Sequence, residues 1–245
     1  MSGELSEGGF RHCITNQSAH HAAMQLILAT RNRHKLGELR ALLGATATCL
    51  SSSEFPSAPD VAEDALTFSG NAAKKAVALA AWLAAGENVE GRMRNEEWLV
   101  MADDSGLEVD ALGGAPGVHS ARFAALDSGR TGNSPDADNN AKLLRLLEGV
   151  PTERRTARFR CVLAIVPMGA SAEPLFFSGA CEGRIGFEAR GADGFGYDAL
   201  FLPAGFDLTF AELGGETKNR LSHRAQALAA FKSWLEGGGY STRTR

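Results

Sequence analysis

Five apolar residues, Trp98-Leu-Val-Met-Ala102, run without a break into Asp103-Asp104-Ser105-Gly106. A continuous apolar run of this length fits a strand buried on both faces of a sheet. In open α/β sheets, ligands collect in the crevice at the carboxyl ends of the strands. Adjacent carboxylates repel, so the pair invites a cation or a proton. A polar Asp-Ser-Gly turn is the plainer alternative. The chain is thus constrained to a sheet whose buried strand delivers acids to its own end.

The remaining periodicities arrange themselves around that strand. Gln25 to Ala29 is a second apolar run, followed by the polar turn Thr30-Arg-Asn-Arg-His-Lys35. Leu36, Leu39, Leu42 and Leu43 then recur at helical spacing, and Gly44 supplies a stop. Residues 45–51 read as a strand. Thr67 to Ala85 reads as a long helix closed by Gly86, and Pro135 opens a helix continuing over 139–147. Residues 158–166 and 174–182 form an antiparallel pair around Gly169, Ala170 and Ser171, with further strands over 183–187 and 199–202. A last helix spans Ser222 to Leu235. The expected fold is α/β, with a mixed, elongated central sheet, flanking helices and two lobes around a cleft. Residues 1–23 read as a flexible extension, 24–236 as a single domain and 237–245 as a flexible tail.

Composition removes several function classes. A chain of 245 residues suits one hydrophobic core, and a net charge of −4 argues against non-specific nucleic-acid binding. The longest apolar stretch, Ala76 to Ala85, falls short of the ~20 residues that cross a bilayer. The first 23 residues lack the basic and apolar regions of a secretory signal. Four cysteines without a CxxC spacing suggest free thiols in a reducing cytoplasm. Only six of the 25 basic residues are lysines, which draws attention to Lys35, Lys75 and Lys218 as sites wanting a compact ammonium.

The common nucleotide and hydrolase motifs GxxxxGK[ST], HExxH and GxSxG are missing. Four other constellations carry chemistry. The Thr30–Lys35 turn leaves a strand and opens a helix, where backbone N–H groups favour an anion. Glu63, just before the long helix, joins Asp104 as an oxygen donor suited to Mg²⁺, and Lys75 lies two turns inside that helix. In Gly194-Phe-Gly-Tyr-Asp198, the glycines expose Phe195 for stacking on a flat ring. Lys218 and Ser222-His223-Arg224 place donors near the start of the last helix, facing an oxygen-rich ligand.

Taken in order, these residues resemble the inosine triphosphate pyrophosphatase family, the XTP/dITP pyrophosphatases. The resemblance rests on Leu28-Ala-Thr-Arg-Asn-Arg-His-Lys35 with Glu38, and on Glu63, Thr67-Phe68 and Asn71-Ala-Ala-Lys-Lys75-Ala76. It continues through Ala102-Asp-Asp-Ser-Gly-Leu107, Gly113 to Arg122, Gly194 to Asp198 and Ser222-His-Arg224. Gly70 and Ala199 depart from it, where the family often has an acid and a proline. The resemblance implies Mg²⁺-dependent hydrolysis of ITP, dITP or XTP to the monophosphate and pyrophosphate, by a cytoplasmic homodimer. Asp104 is implied as the catalytic base and, with Glu63, as a metal ligand, with Asp103 in support. Thr30, Asn32, Lys35 and Lys75 are implied to hold the triphosphate, and Arg31, Arg33, His34 and Ser105 are implied as further substrate-binding residues. Phe195, Asp198, His223 and Arg224 are implied around the base, and Gly196, Tyr197 and Lys218 are implied as further substrate-binding residues. A Maf-type pyrophosphatase for other nucleotides and a non-catalytic nucleotide-binding module are the rivals. The Phe195–Asp198 and Ser222–Arg224 stretches argue against the first, and the joint presence of Lys35, Glu63 and Asp104 against the second.

Overall fold

The computed structural model describes residues 24–86, 98–129, 131–168 and 173–239. The expectations for residues 1–23, the 169–171 turn and most of the C-terminal tail lie outside the described residues. The elements are β1 (Met24–Leu28), α1 (Arg33–Leu43), β2 (Ala47–Ser51), α2 (Phe68–Ala85) and β3 (Trp98–Val109), followed by α3 (Ala125–Ser128) and α4 (Asp136–Leu146). The chain continues with β4 (Thr156–Pro167), β5 (Leu175–Ile185), β6 (Phe201–Pro203), α5 (Phe210–Leu221) and α6 (His223–Glu236).

The strands form one mixed sheet in the order β2-β1-β3-β4-β5-β6. β1 pairs parallel with β2 and β3, whereas β3 to β6 are joined antiparallel. The mixed α/β architecture follows the expected one. β3 does not end at its acids. Its ladder with β4 runs from Leu99↔Pro167 through Asp104↔Val162 to Val109↔Ala157. The backbone therefore stays hydrogen-bonded through Asp103 and Asp104, and helices on both faces neutralise the charges. A strand of 12 residues spans ~40 Å.

That length carries the sheet across three packed cores. On one face, α2 lays Ala72, Ala76, Leu79, Ala80 and Leu83 against Ile27, Val100, Ala102 and Ala164. On the other, α1 and α6 pack Leu39, Leu43, Leu228 and Phe231 against Leu26, Leu28, Leu99 and Leu163. The far ends of β3, β4 and β5 close a separate core with Leu143, Phe159, Phe201 and Phe210.

Local chemistry sets the helix starts. The Asn32 side chain accepts from the backbone of His34 and Lys35, Thr67 caps α2 through Gly70 and Ser222 caps α6 through Ala225. α5 is an addition to the expected elements. Gly214, at φ 76°, interrupts it, and such a residue hides a helix from any periodicity. Lys218 consequently sits in the last turn of α5, not at the start of the final helix. The strand expected over 183–187 is the tail of β5, which ends at Ile185. Among the described residues, no helix is long and apolar enough to cross a membrane.

Candidate active site

Successive side chains on a strand point to opposite faces. The Asp103 and Asp104 carboxylates therefore take their partners on opposite faces. Asp104 faces α2 with Val100 and Ala102, and Asp103 faces α1 and α6 with Leu99 and Met101. The two carboxylates are buried at 2% and 4% exposure, so each must find its partners on its own side.

On the α2 side, Asp104 Oδ2 accepts a 3.0 Å hydrogen bond from Asn71 Nδ2, and Oδ1 lies 3.6 Å from Lys75 Nζ. Lys75 also donates to Glu63 Oε1 at 2.9 Å and to the Asp103 carbonyl at 2.8 Å. Glu63 and Asp104 thus meet around one ammonium. Burial raises the Asp104 pKa and Glu63 adds to it, against the opposing pull of Lys75 and Lys35. The segment carrying Glu63 is held by Arg122, which donates to the Glu63 carbonyl at 2.8 Å, and by an ion pair between Lys74 and Asp64. Thr30, Arg31, Asn32, Lys35, Glu63 and Lys75 line an open cleft of about 1030 Å³.

On the opposite side, Asp103 Oδ1 lies 2.5 Å from Lys35 Nζ, and Oδ2 accepts from Arg224 Nε at 3.1 Å and Cys161 Sγ at 3.0 Å. Burial alone would push the Asp103 carboxyl up. Arg224 and Lys35, with hydrogen bonds from Cys161 and Lys35, outweigh it and hold the group well below the usual range. Arg224 is 1% exposed; its other nitrogens bond Glu38 and the Ser105 hydroxyl. Glu38 in turn meets Lys218 at 2.7 Å, and Lys218 meets Asp198 at 2.5 Å. A continuous chain of charges therefore joins β3, α1, α5, α6 and the Gly194–Asp198 turn. Within it, burial raises the Asp198 pKa despite Lys218.

The base-side residues divide. Phe195 stacks on His34 at 5.1 Å between ring centroids, and Lys218 Nζ lies 4.7 Å from the Phe195 ring. This brings the Gly194–Asp198 turn to the first turn of α1, where Arg33 and His34 are exposed. Tyr197 is a core residue whose hydroxyl donates to the Ser120 carbonyl at 2.8 Å, leaving no group for a ligand. Gly196 donates to Asp136 and accepts from Asn140, so its backbone is engaged as well. Arg224 is locked inside the charge network and does not face open space as a donor. His223 is buried flat against Phe159, 4.9 Å between centroids, and burial with Arg224 beside it drives its pKa well below the usual value. Asp103 also lines the cleft, where its carbonyl accepts from Lys75, but its carboxylate is taken up by Lys35, Arg224, Cys161 and Ser105. Asn32 spends its side-chain oxygen on the helix cap.

Sequence reasoning gave no role to Asn71, Arg122 or His119, which stand in or against this cleft. For Asn71 a signal existed: it precedes Lys75 by four residues, which puts both on one face of α2.

Residues 26–234 match the family model described as the Ham1 family. Over 206 residues the chain is 49% identical to a dITP/XTP pyrophosphatase of Desulforamulus reducens, covering 84% of this chain and 92% of that protein. Over 213 residues it is 46% identical to a dITP/XTP pyrophosphatase of Shouchella clausii, covering 87% and 97%. A solved HAM1 protein from Coxiella burnetii aligns with a TM-score of 0.70 at 35% identity, covering 87% of this chain and 99% of that one.

Proposed function

The chain belongs to the Ham1 family, and from that premise we infer that it hydrolyses ITP, dITP and XTP to the monophosphate and pyrophosphate, clearing non-standard purines from the nucleotide pool. The observation that carries the reading is the meeting of Asp104 and Glu63 around Lys75 beside the cleft. Asp104 accepts a proton from a water molecule as the water oxygen bonds the α-phosphorus. The bond from that phosphorus to the bridging oxygen breaks, and pyrophosphate leaves with the electron pair. Phosphoryl chemistry of this kind is mainly positioning and charge neutralisation. Lys35, Lys75 and the amino end of α1 place positive charge along the cleft, where a triphosphate lies.

The donor set fits Mg²⁺. Among the described residues there is no cluster of three or more His, Cys, Asp or Glu for an all-protein cage. Mg²⁺ is instead usually held by one or two carboxylates, substrate phosphates and water. Glu63 and Asp104 are such a pair, and Lys75 shares Glu63 with the ion or yields it. When bound, the ion supplies neutralisation of phosphate charge. Phe195 and Lys218 mark the base end; His223 and Arg224 act there through the turn and helix they hold in place.

A nucleotide-pool enzyme works in the cytoplasm, and we assign the working form to a homodimer. Phe176 (49% exposed) supports that assignment: it pairs with Ala164 on the α2 face of the sheet and is largely open among the described residues. The activity is tested by pyrophosphate release from dITP, XTP, dATP and dGTP, with and without Mg²⁺. Wild-type protein is expected to prefer dITP and XTP and to need the ion. Asp104→Asn is expected to lose at least about 100-fold in kcat while remaining folded. Equal rates on dATP and dITP, or full activity of Asp104→Asn, would count against the reading.

A further inference from the structure

The loop 61–66 and the strand β3 come from distant parts of the chain, yet their acids must meet with a precision finer than either element guarantees. One side chain touches both. Asn71, in the first turn of α2, is fully buried. Its Oδ1 accepts from the Ala65 backbone N–H at 2.9 Å, and its Nδ2 donates to Asp104 Oδ2 at 3.0 Å. Chemistry fixes the orientation of the carboxamide. A backbone N–H can only donate and a carboxylate can only accept, so the oxygen must face Ala65 and the nitrogen Asp104. Reversing the amide would break both bonds.

We propose that Asn71 is a positioning residue for the reaction: it fixes the rotamer of Asp104, presents Oδ1 to the side where Lys75 and Glu63 stand, and holds the Glu63 loop in register with that oxygen. The inference rests on the assignment of Asp104 as base. Among the described residues, Asn71 makes the one side-chain hydrogen bond to the Asp104 carboxylate, since Lys75 at 3.6 Å is an ion-pair partner beyond hydrogen-bond reach. Without Asn71, Asp104 swings toward Lys75, and Ala65 loses its acceptor. Helix geometry serves the arrangement, because Asn71 and Lys75 share a face of α2 and reach the two oxygens of one carboxylate separately.

Two variants divide the role. Asn71→Ala removes both bonds. Asn71→Asp keeps an acceptor for Ala65 but sets a carboxylate against Asp104. A positioning role predicts that kcat on dITP falls about 10- to 100-fold in both, with KM within about two-fold of wild type. Asn71→Asp should fall at least as far as Asn71→Ala although it keeps the loop bond. A purely structural role predicts the opposite order, with the aspartate milder and losses tracking melting temperature. A readout independent of turnover is the side-chain amide signal of Asn71 in metal-free protein by NMR, which Asp104→Ala should displace. Folded Asn71 variants with wild-type kcat, or an Asn71 amide indifferent to Asp104→Ala, overturn the proposal. Asp104→Asn is assayed alongside: if it retains activity, the base assignment fails, and if it is inactive while the Asn71 variants are not, only the positioning role fails.

Discussion

Three nitrogens of the Arg224 guanidinium hold Asp103, Glu38 and Ser105, and nothing of the group is left for solvent. Truncating it removes the cation that Asp103 and Glu38 share and opens a void, leaving each acid only its lysine, Lys35 and Lys218. Removing one partner of such a buried pair costs about 3–5 kcal/mol. Arg224→Ala is therefore expected to lower unfolding free energy by roughly that amount in urea titrations, and to lose activity on every nucleotide alike. A selective loss on dITP with unchanged stability would instead make Arg224 a reader of the base. Arg224→Lys should rescue little, because one ammonium cannot span three acceptors set around a planar fork.

At the level of elements, α6 rests on β5 at Gly179. A Cβ there would overlap the His223 carbonyl and the Ala227 amide, both backbone atoms of the helix. Gly179→Ala must push α6 off the sheet and carry His223 and Arg224 with it. The expected cost is about 1–3 kcal/mol, seen as a lower melting temperature, with a matching loss of turnover. Such close packing is invisible in the sequence, where Gly179 is one small residue in a strand. What periodicity made legible were elements with a clean signal: the leucines of α1, the alanine stripe of α2 and the paired runs of β4 and β5. Where two signals conflict, the reading failed. Gly214 concealed α5, and the acids of β3 looked like a turn because a strand that buries charge contradicts its own composition. The motifs of the candidate site were legible as letters, but which face each letter occupies is settled only by pairing across the sheet.

For the whole molecule, the exposed Phe176 on the α2 face of β5 is where the proposed homodimer is tested. Phe176→Arg sets a charge on that face without touching the cleft. If the proposed homodimer uses this face, the substitution is expected to give monomer in sedimentation experiments at micromolar protein, and unchanged mass would redirect the proposal to another surface. The long strand β3 ties the two ends of the molecule together and has a further consequence. Since the side chains of residues 103 and 104 look out from opposite sides, β3 hands one carboxylate to the Arg224 network and the other to Asn71 and Lys75. Deleting or inserting a single residue upstream in the strand would swap what each side receives, leaving the lysine of one and the arginine of the other with the wrong cargo. The flanking helices can vary where they do not carry Lys35, Asn71, Lys75 or Arg224, but the register of that one strand cannot shift.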